Sequence, residues 1–232
     1  MTNTNHKHTQ SFDHKIHPHG AELSLTALNA DVSIKGYNSD RLNIIVTYTP
    51  KQHKAAPPEL VSLGNKFVLT YNESAFDAVK IEAFIPAELL SSVTATTSNG
   101  AVILDAFTAK TTTIECFNGS VSATNIDVET LSIMAQNGSL TLHIPRFTNF
   151  TDYTYTLGCS NNKLCLQLPT QHDTAYFLSA HAALGFISVN FNDLTFIKNE
   201  KDIVEAKSRN YDLSRKKIRL KLESSAAPIT IN

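Results

Sequence analysis

Through most of the chain, apolar and polar residues alternate with period two over short runs, and small turn-forming residues join the runs. In "TATTSNGAVIL", Thr94 to Leu104, such runs flank an Asn-Gly pair, which on its own predicts a two-residue hairpin turn. The pair returns at Asn118-Gly119 and Asn137-Gly138, so that Gly100, Gly119 and Gly138 are spaced by 119−100 = 19 and 138−119 = 19 residues. Aligned on glycine, the positions two and four on are Val102, Val121, Leu140 and Leu104, Ala123, Leu142. Seven before it stand Val93, Thr112 and Leu131; five before, Ala95, Ile114 and Ile133; three before, Thr97, Cys116 and Ala135. One face is thus apolar or small on both sides of the turn, as in a half-buried strand pair.

A fixed period of this length predicts a stacked repeat, because a unit with two strands of about five residues cannot bury its apolar face alone. The same template fits around Ala30, Gly185 and Ala227, and fits poorly around Gly158, where Ser160 and Asn162 occupy apolar places. A local loop is expected there, with "KLCLQLP" resuming as a strand. The predicted fold is all-β, a single-stranded right-handed β-helix with rungs of about 19 residues, right-handed by the general rule for parallel crossovers. A sandwich of antiparallel hairpins is the alternative, though hairpins have no need to hold a constant interval.

In the coil the turn becomes a corner. Asn99, Gly100, Asn118, Gly119, Asn137 and Gly138 are the predicted structural turn positions, glycine supplying positive φ and the asparagines stacking through their amides. Residues 21–232 are expected to form one β-helical domain. Residues 1–20 are a His-rich polar tail or lead-in to the first strand, and irregular insertions lie near 49–77 and 190–214. Long loops of this kind are where a repeat scaffold would carry a binding site.

Composition narrows the function. Charged residues are 18% of the chain and the formal net charge is -1, which gives no reason to expect a nucleic-acid partner. Three cysteines, Cys116, Cys159 and Cys165, are too few and odd in number for a disulfide framework, and read as buried thiols. The first twenty residues lack an apolar signal segment, and no apolar run approaches the ~20 residues of a membrane span. The expected location is therefore cytoplasmic as the sequence stands, or the cell surface if an export segment has been removed.

No catalytic signature, cofactor motif or metal set stands out. His6, His8, His14, His17 and His19 cluster at the start but lack carboxylate or cysteine partners at a ligand spacing. Two outward columns of the coil are expected, Asp105, Thr124 and His143 in one and Glu115, Met134 and Tyr153 in the other. Each has one acid, where a glycosidase needs two. "SRKKIRLKLES" places Lys217, Arg219 and Lys221 opposite Ile218, Leu220 and Leu222, and is expected to be the terminal rung, with lysines blocking end-to-end stacking. Outer Thr and Ser positions make flat polar faces that could meet a glycan or a protein.

The run "SNGAVILDAFTAKTTTIECFNGSVSATNIDVETLSIMAQNGSLTLHIP" resembles the bacterial toastrack domains, also labelled adhesin domains, whose mark is a repeating t-x-N-G-x-i-x-l unit. The opening "LSLTALNADVSIKGYNSDRLNIIVTY" and the closing "IRLKLESSAAPITIN" are similar to that family's first and last rungs. The resemblance implies a β-helix without catalytic residues, acting as an interaction module linked to envelope-stress sensing or assembly through protein partners. It also leaves room for a surface adhesin or glycan-binding protein, and less so for a polysaccharide-acting enzyme.

Overall fold

The structure is a computed structural model, and it describes residues 6–17, 19–51, 55–191 and 193–232. The chain opens with β1 (His8–Lys15), β2 (Glu22–Ala27), β3 (Ala30–Tyr37) and β4 (Arg41–Pro50). Next come β5 (Glu59–Leu63), β6 (Lys66–Thr70), a 3-10 turn at Glu73–Ala75 and β7 (Phe76–Pro86). The middle holds β8 (Leu90–Thr97), β9 (Val102–Asp105), β10 (Thr108–Cys116), β11 (Val121–Thr124), β12 (Asp127–Ala135) and β13 (Leu140–His143). Then follow β14 (Asp152–Cys159), β15 (Leu164–Gln167), β16 (Thr174–Ala182) and β17 (Ile187–Val189). The last four are β18 (Leu194–Asn199), β19 (Ile203–Ser208), β20 (Lys216–Ser224) and β21 (Ile229–Ile231). The architecture is all-β.

Strands of each rung divide between two sheets. One has ten strands in the order β1-β4-β7-β3-β9-β11-β13-β15-β21-β17; the other has eleven, β18-β19-β16-β20-β14-β12-β10-β8-β2-β6-β5. Successive rungs pair in parallel, Val102 with Val121 and Val121 with Leu140, so the Asn-Gly pair does not close a hairpin. The inward residues of both sheets, among them Leu25, Ile34, Val93, Leu104, Ile133 and Leu142, are fully buried and form one core. Antiparallel strands cover the ends: β4 on β7, β1 on β4, β5 on β6, and the β18–β19 hairpin on β16.

The corner glycines are required by proximity rather than by φ, which corrects the sequence reading. Only Gly100 of the three has positive φ, at +155°. A Cβ on Gly100 would stand 2.1 Å from the Ala30 carbonyl oxygen, on Gly119 1.9 Å from that of Gly100, and on Gly138 1.8 Å from that of Gly119. Each glycine therefore lies directly against the corner carbonyl of the rung before it. The preceding asparagines form an amide ladder: Asn99 Nδ2 donates to Asn29 Oδ1 (2.7 Å), Asn118 to Asn99 (2.8 Å) and Asn137 to Asn118 (2.8 Å). Asn161 Nδ2 continues it by donating to Asn137 Oδ1. At three of the glycine places the residue three before turns a small donor to the corner carbonyl below: Thr97 Oγ1 to Ala30 (3.0 Å), Cys116 Sγ to Gly100 (3.3 Å) and Cys159 Sγ to Gly138 (3.1 Å); before Gly138 the place is taken by Ala135, which has no donor. Burial pushes both thiols above the usual cysteine range, so they serve as weak hydrogen-bond donors and not as nucleophiles.

Three further expectations are corrected. Glycine misplaces the corner in the fifth unit. Ala135 pairs with Cys159 and Leu140 with Leu164, so Asn162, not Gly158, takes the glycine place, and the five extra residues (164−140 = 24 against 19) lie at the opposite corner, 144–151. Consequently Glu115 and Met134 share a column with Gly158, while Tyr153 points inward and is fully buried. Next, the region 49–77 holds β5 as well as the expected strand "KFVLTY", and that strand joins β7 as a rung stacked on β2 and β3. Finally, β20 is not terminal: it pairs with β14 on one side and β16 on the other, with Leu220 between Tyr155 and Leu178. Its cations meet Asp152 (Arg219, 3.7 Å) and Glu223 (Lys221, 2.9 Å). Rung membership is written in the alternation of the sequence, whereas rung order in space is not.

Two substitutions test the corner and the core. Gly119→Ala forces a methyl into a backbone carbonyl that cannot swing aside, and is expected to cost about 3 kcal/mol in urea unfolding. An effect below about 0.5 kcal/mol would mean the close approach is not a constraint. Thr112 is fully buried, its hydroxyl finds no partner among the described residues, and Val93 and Leu131 are its neighbours in register. Thr112→Val keeps the shape and removes the unpaired hydroxyl, so its unfolding midpoint should rise by the equivalent of about 1 kcal/mol.

Candidate functional site

The chain does not build its last rungs in order. After β15 it crosses to β16 and leaves a strand-wide gap that β20 later fills, so residues 168–173 span two strand spacings, about 9.5 Å. That crossing, the link from β17 to β18 and the exit from β19 meet around a cavity of about 300 Å³. Tyr176 and Phe191 form its aromatic side, with ring centroids 4.8 Å apart and planes at 74°. Thr170, Gln171, His172, Asp193, Arg209 and Asn210 supply the polar rim, and Thr174 and Ser208 lie deeper.

Hydrogen bonds fix the floor. Tyr176 donates its hydroxyl to the Pro169 carbonyl (2.6 Å) and its backbone N–H to Ser208 Oγ (3.0 Å). Burial pushes the Tyr176 phenol well above its ordinary range, so it stays neutral. Gln171 accepts the Phe147 N–H through Oε1 (3.0 Å), which leaves the amide nitrogen as its end for a ligand. Lys216 Nζ donates to the Phe147 carbonyl (2.8 Å) and lies 3.7 Å from Asp173, tying the inserted rung to the same wall. Asp193 holds φ +64°, and its carbonyl accepts the Arg209 N–H (3.2 Å), which joins the two ends of the hairpin excursion.

The buried carboxylate Asp127 serves structure. It accepts from the Thr148 N–H (3.2 Å), the Thr148 hydroxyl, the Asn149 N–H (2.8 Å), Asn149 Nδ2 (2.7 Å) and the Tyr153 hydroxyl (2.8 Å). These bonds clamp the enlarged 144–151 corner to its rung. Phe147 packs beside the clamp at 4.6 Å from Tyr153, and burial raises the phenols of Tyr153 and Tyr155.

The sequence-derived candidates stand elsewhere. Asn99, Gly100, Asn118, Gly119, Asn137 and Gly138 form the corner column and do not line the cleft. Asp105, Thr124 and His143 do align in register, and Asp105 accepts from Thr124 Oγ1 (3.0 Å) and Asn125 Nδ2 (3.2 Å), bonds that close a second corner. Of the N-terminal histidines, His8 stacks on Tyr48 at 5.6 Å and His14 meets Phe67 at 5.8 Å; Pro18 of the "HPH" cluster lies outside the described residues. Among the described residues no three His, Cys, Asp or Glu side chains converge as a metal set, and no helix is long and apolar enough to cross a membrane. The cleft residues carry no motif; the length and charge of 190–214 pointed toward Phe191, Asp193, Ser208, Arg209 and Asn210, and nothing in the sequence pointed toward the 170–176 side.

Comparison with known proteins agrees with the architecture. The model of the Toastrack DUF4097 family matches residues 21–158, more than half of the chain. A structure from Clostridium sporogenes described as a "putative cell adhesion protein" is similar at a TM-score of 0.56 and 11% identity, over 97% of this chain and 99% of that one. A Bacteroides fragilis "putative adhesin" aligns at a TM-score of 0.41 and 10% identity, over 98% and 99%. A Parabacteroides distasonis "putative lipid binding protein" aligns at 0.36 and 12%, over 99% and 98%. No curated protein matches the sequence. The chain belongs to the Toastrack DUF4097 family.

Proposed function

We propose that the protein is a non-catalytic binding module of the bacterial cell envelope and that the cleft between β16 and the hairpin excursion is its recognition site. The observation that carries this reading is the cleft's composition: two aromatic rings, a rim of amide, hydroxyl, imidazole and guanidinium groups, and one carboxylate, Asp193. Hydrolysis of a glycosidic bond takes two carboxyl groups flanking it. The interior carboxylate Asp127 is spent on its five hydrogen bonds to the 148–153 segment. An aromatic surface with convergent polar groups is what binding without chemistry requires.

In this reading residues 21–232 form one right-handed coil, with 19-residue rungs in its middle and residues 1–20 leading into it. The coil is a stiff stalk that presents the cleft at one end. Its setting is envelope-stress sensing or assembly, through contact with another envelope component.

Immobilised protein and an Arg209→Ala/Asn210→Ala double variant, both residues being exposed at the rim, separate this reading from its rivals. The wild type is expected to retain a component of detergent-solubilised bacterial envelope saturably, and the variant about tenfold less, a loss of about 1.4 kcal/mol. Equal retention by both proteins, or none, overturns the cleft as the site. Release of reducing sugar from envelope polysaccharide overturns the non-catalytic assignment.

A further inference from the structure

We infer that the cleft recognises one pyranose unit of a saccharide, an assignment that rests on the binding role proposed above and adds the ligand class. Phe191 presents a half-buried ring at the cleft, and the buried Tyr176 packs against it nearly at right angles and holds it in place. A sugar ring offers a face of C–H groups to such an aromatic side chain and directs its hydroxyls outward. Each hydroxyl is both donor and acceptor, and it needs partners of both kinds. The rim supplies them in mixture: Gln171, Asn210 and Arg209 donate, Asp193 accepts, and His172 does either.

Size and charge exclude the neighbouring classes. A cavity of about 300 Å³ lies at the lower end of the range for small-molecule sites, room for one ring and not for an oligomer in full contact. Arg209 is offset by Asp193 within the same lining, so the cleft has no net charge to select an anion such as phosphate. A purely apolar ligand would leave the rim's polar groups desolvated and unpaired, at a cost. A neutral polyol with one apolar face satisfies both parts. The floor is also preorganised, since Tyr176, Thr174 and Ser208 are all buried and Tyr176 is held at its hydroxyl and at its N–H. The exposed positions of His172, Arg209 and Asn210 leave the rest of a glycan chain free to extend into solvent.

Saturation-transfer NMR and calorimetry with the methyl glycosides of glucose, galactose, mannose, rhamnose and N-acetylglucosamine test this on the full chain. At least one should bind with a Kd on the order of 1 mM, the range of one ring's contacts. Phe191→Ala should weaken it about tenfold or more. Because Phe191 packs in part against the core, Asn210→Ala on the exposed rim is the second variant; it should weaken binding about threefold or more with an unchanged melting temperature. Phe186→Ala, on the exposed β16–β17 loop, should leave binding as in the wild type. Silence of the whole panel at about 10 mM, or binding indifferent to both cleft variants, overturns the saccharide assignment. Envelope retention that persists while the panel is silent sinks this inference alone. Loss of retention sinks the binding role as well, and retention abolished by protease treatment of the envelope assigns the cleft to a protein.

Discussion

Each corner glycine rests against the carbonyl oxygen of the corner beneath it, with no room for a Cβ between them. That contact between backbones holds neighbouring rungs at the ordinary strand spacing of about 4.8 Å where the chain leaves one sheet for the other. The other corner features follow from it. With identical turns at one strand spacing, the amides of Asn29, Asn99, Asn118, Asn137 and Asn161 come within hydrogen-bond reach of one another. The corner carbonyl, exposed toward the core, finds a donor from the next rung in Thr97, Cys116 or Cys159. A buried threonine and two buried thiols at equivalent positions thus share one task.

How much of this the sequence disclosed depends on which constraint acts within a rung and which acts between rungs. The period was legible because the glycine contact and the inward alternation recur in every middle unit. The asparagine column was legible at Asn99, Asn118 and Asn137, but the ladder's ends were not. Asn29 precedes an alanine, and Asn161 precedes Asn162, so an alignment anchored on glycine passes over both. The same anchor placed the extra residues of the fifth unit at the Asn corner, when they enlarge the opposite one and carry the Asp127 clamp.

Spatial order was hidden for a different reason. The contact faces of all rungs are chemically alike, Leu220 lying equally well against Tyr155 and Leu178, so a rung's own residues do not name its neighbours. The two ends of the stack share an arrangement. The first rung, β2 and β3, lies between β6–β7 and β8–β9, and the last, β20 and β21, lies between β14–β15 and β16–β17. Both terminal rungs are thereby enclosed, and the outermost positions pass to antiparallel strands and to the short β17, which are poor templates for further stacking. The enclosure lengthens the sequence separation of contacts, since β20 joins β14 across 220−155 = 65 residues, and such pairings are slow to form.

The cleft is a consequence of the same enclosure. A chain that laid its rungs in order would connect β15 to the next strand over one spacing and leave no wide crossing. Because the place beside β14 is kept for β20, residues 168–173 must bridge two spacings, and the chain must then return through the β18–β19 hairpin to fill the gap. The crossing and the return bound a space that no repeat unit contains. Its residues, Gln171, His172, Phe191, Asp193, Arg209 and Asn210, consequently fall outside the 19-residue pattern. The repeat prescribes corners and core, and the break in rung order brings together a set of side chains that the repeat does not place.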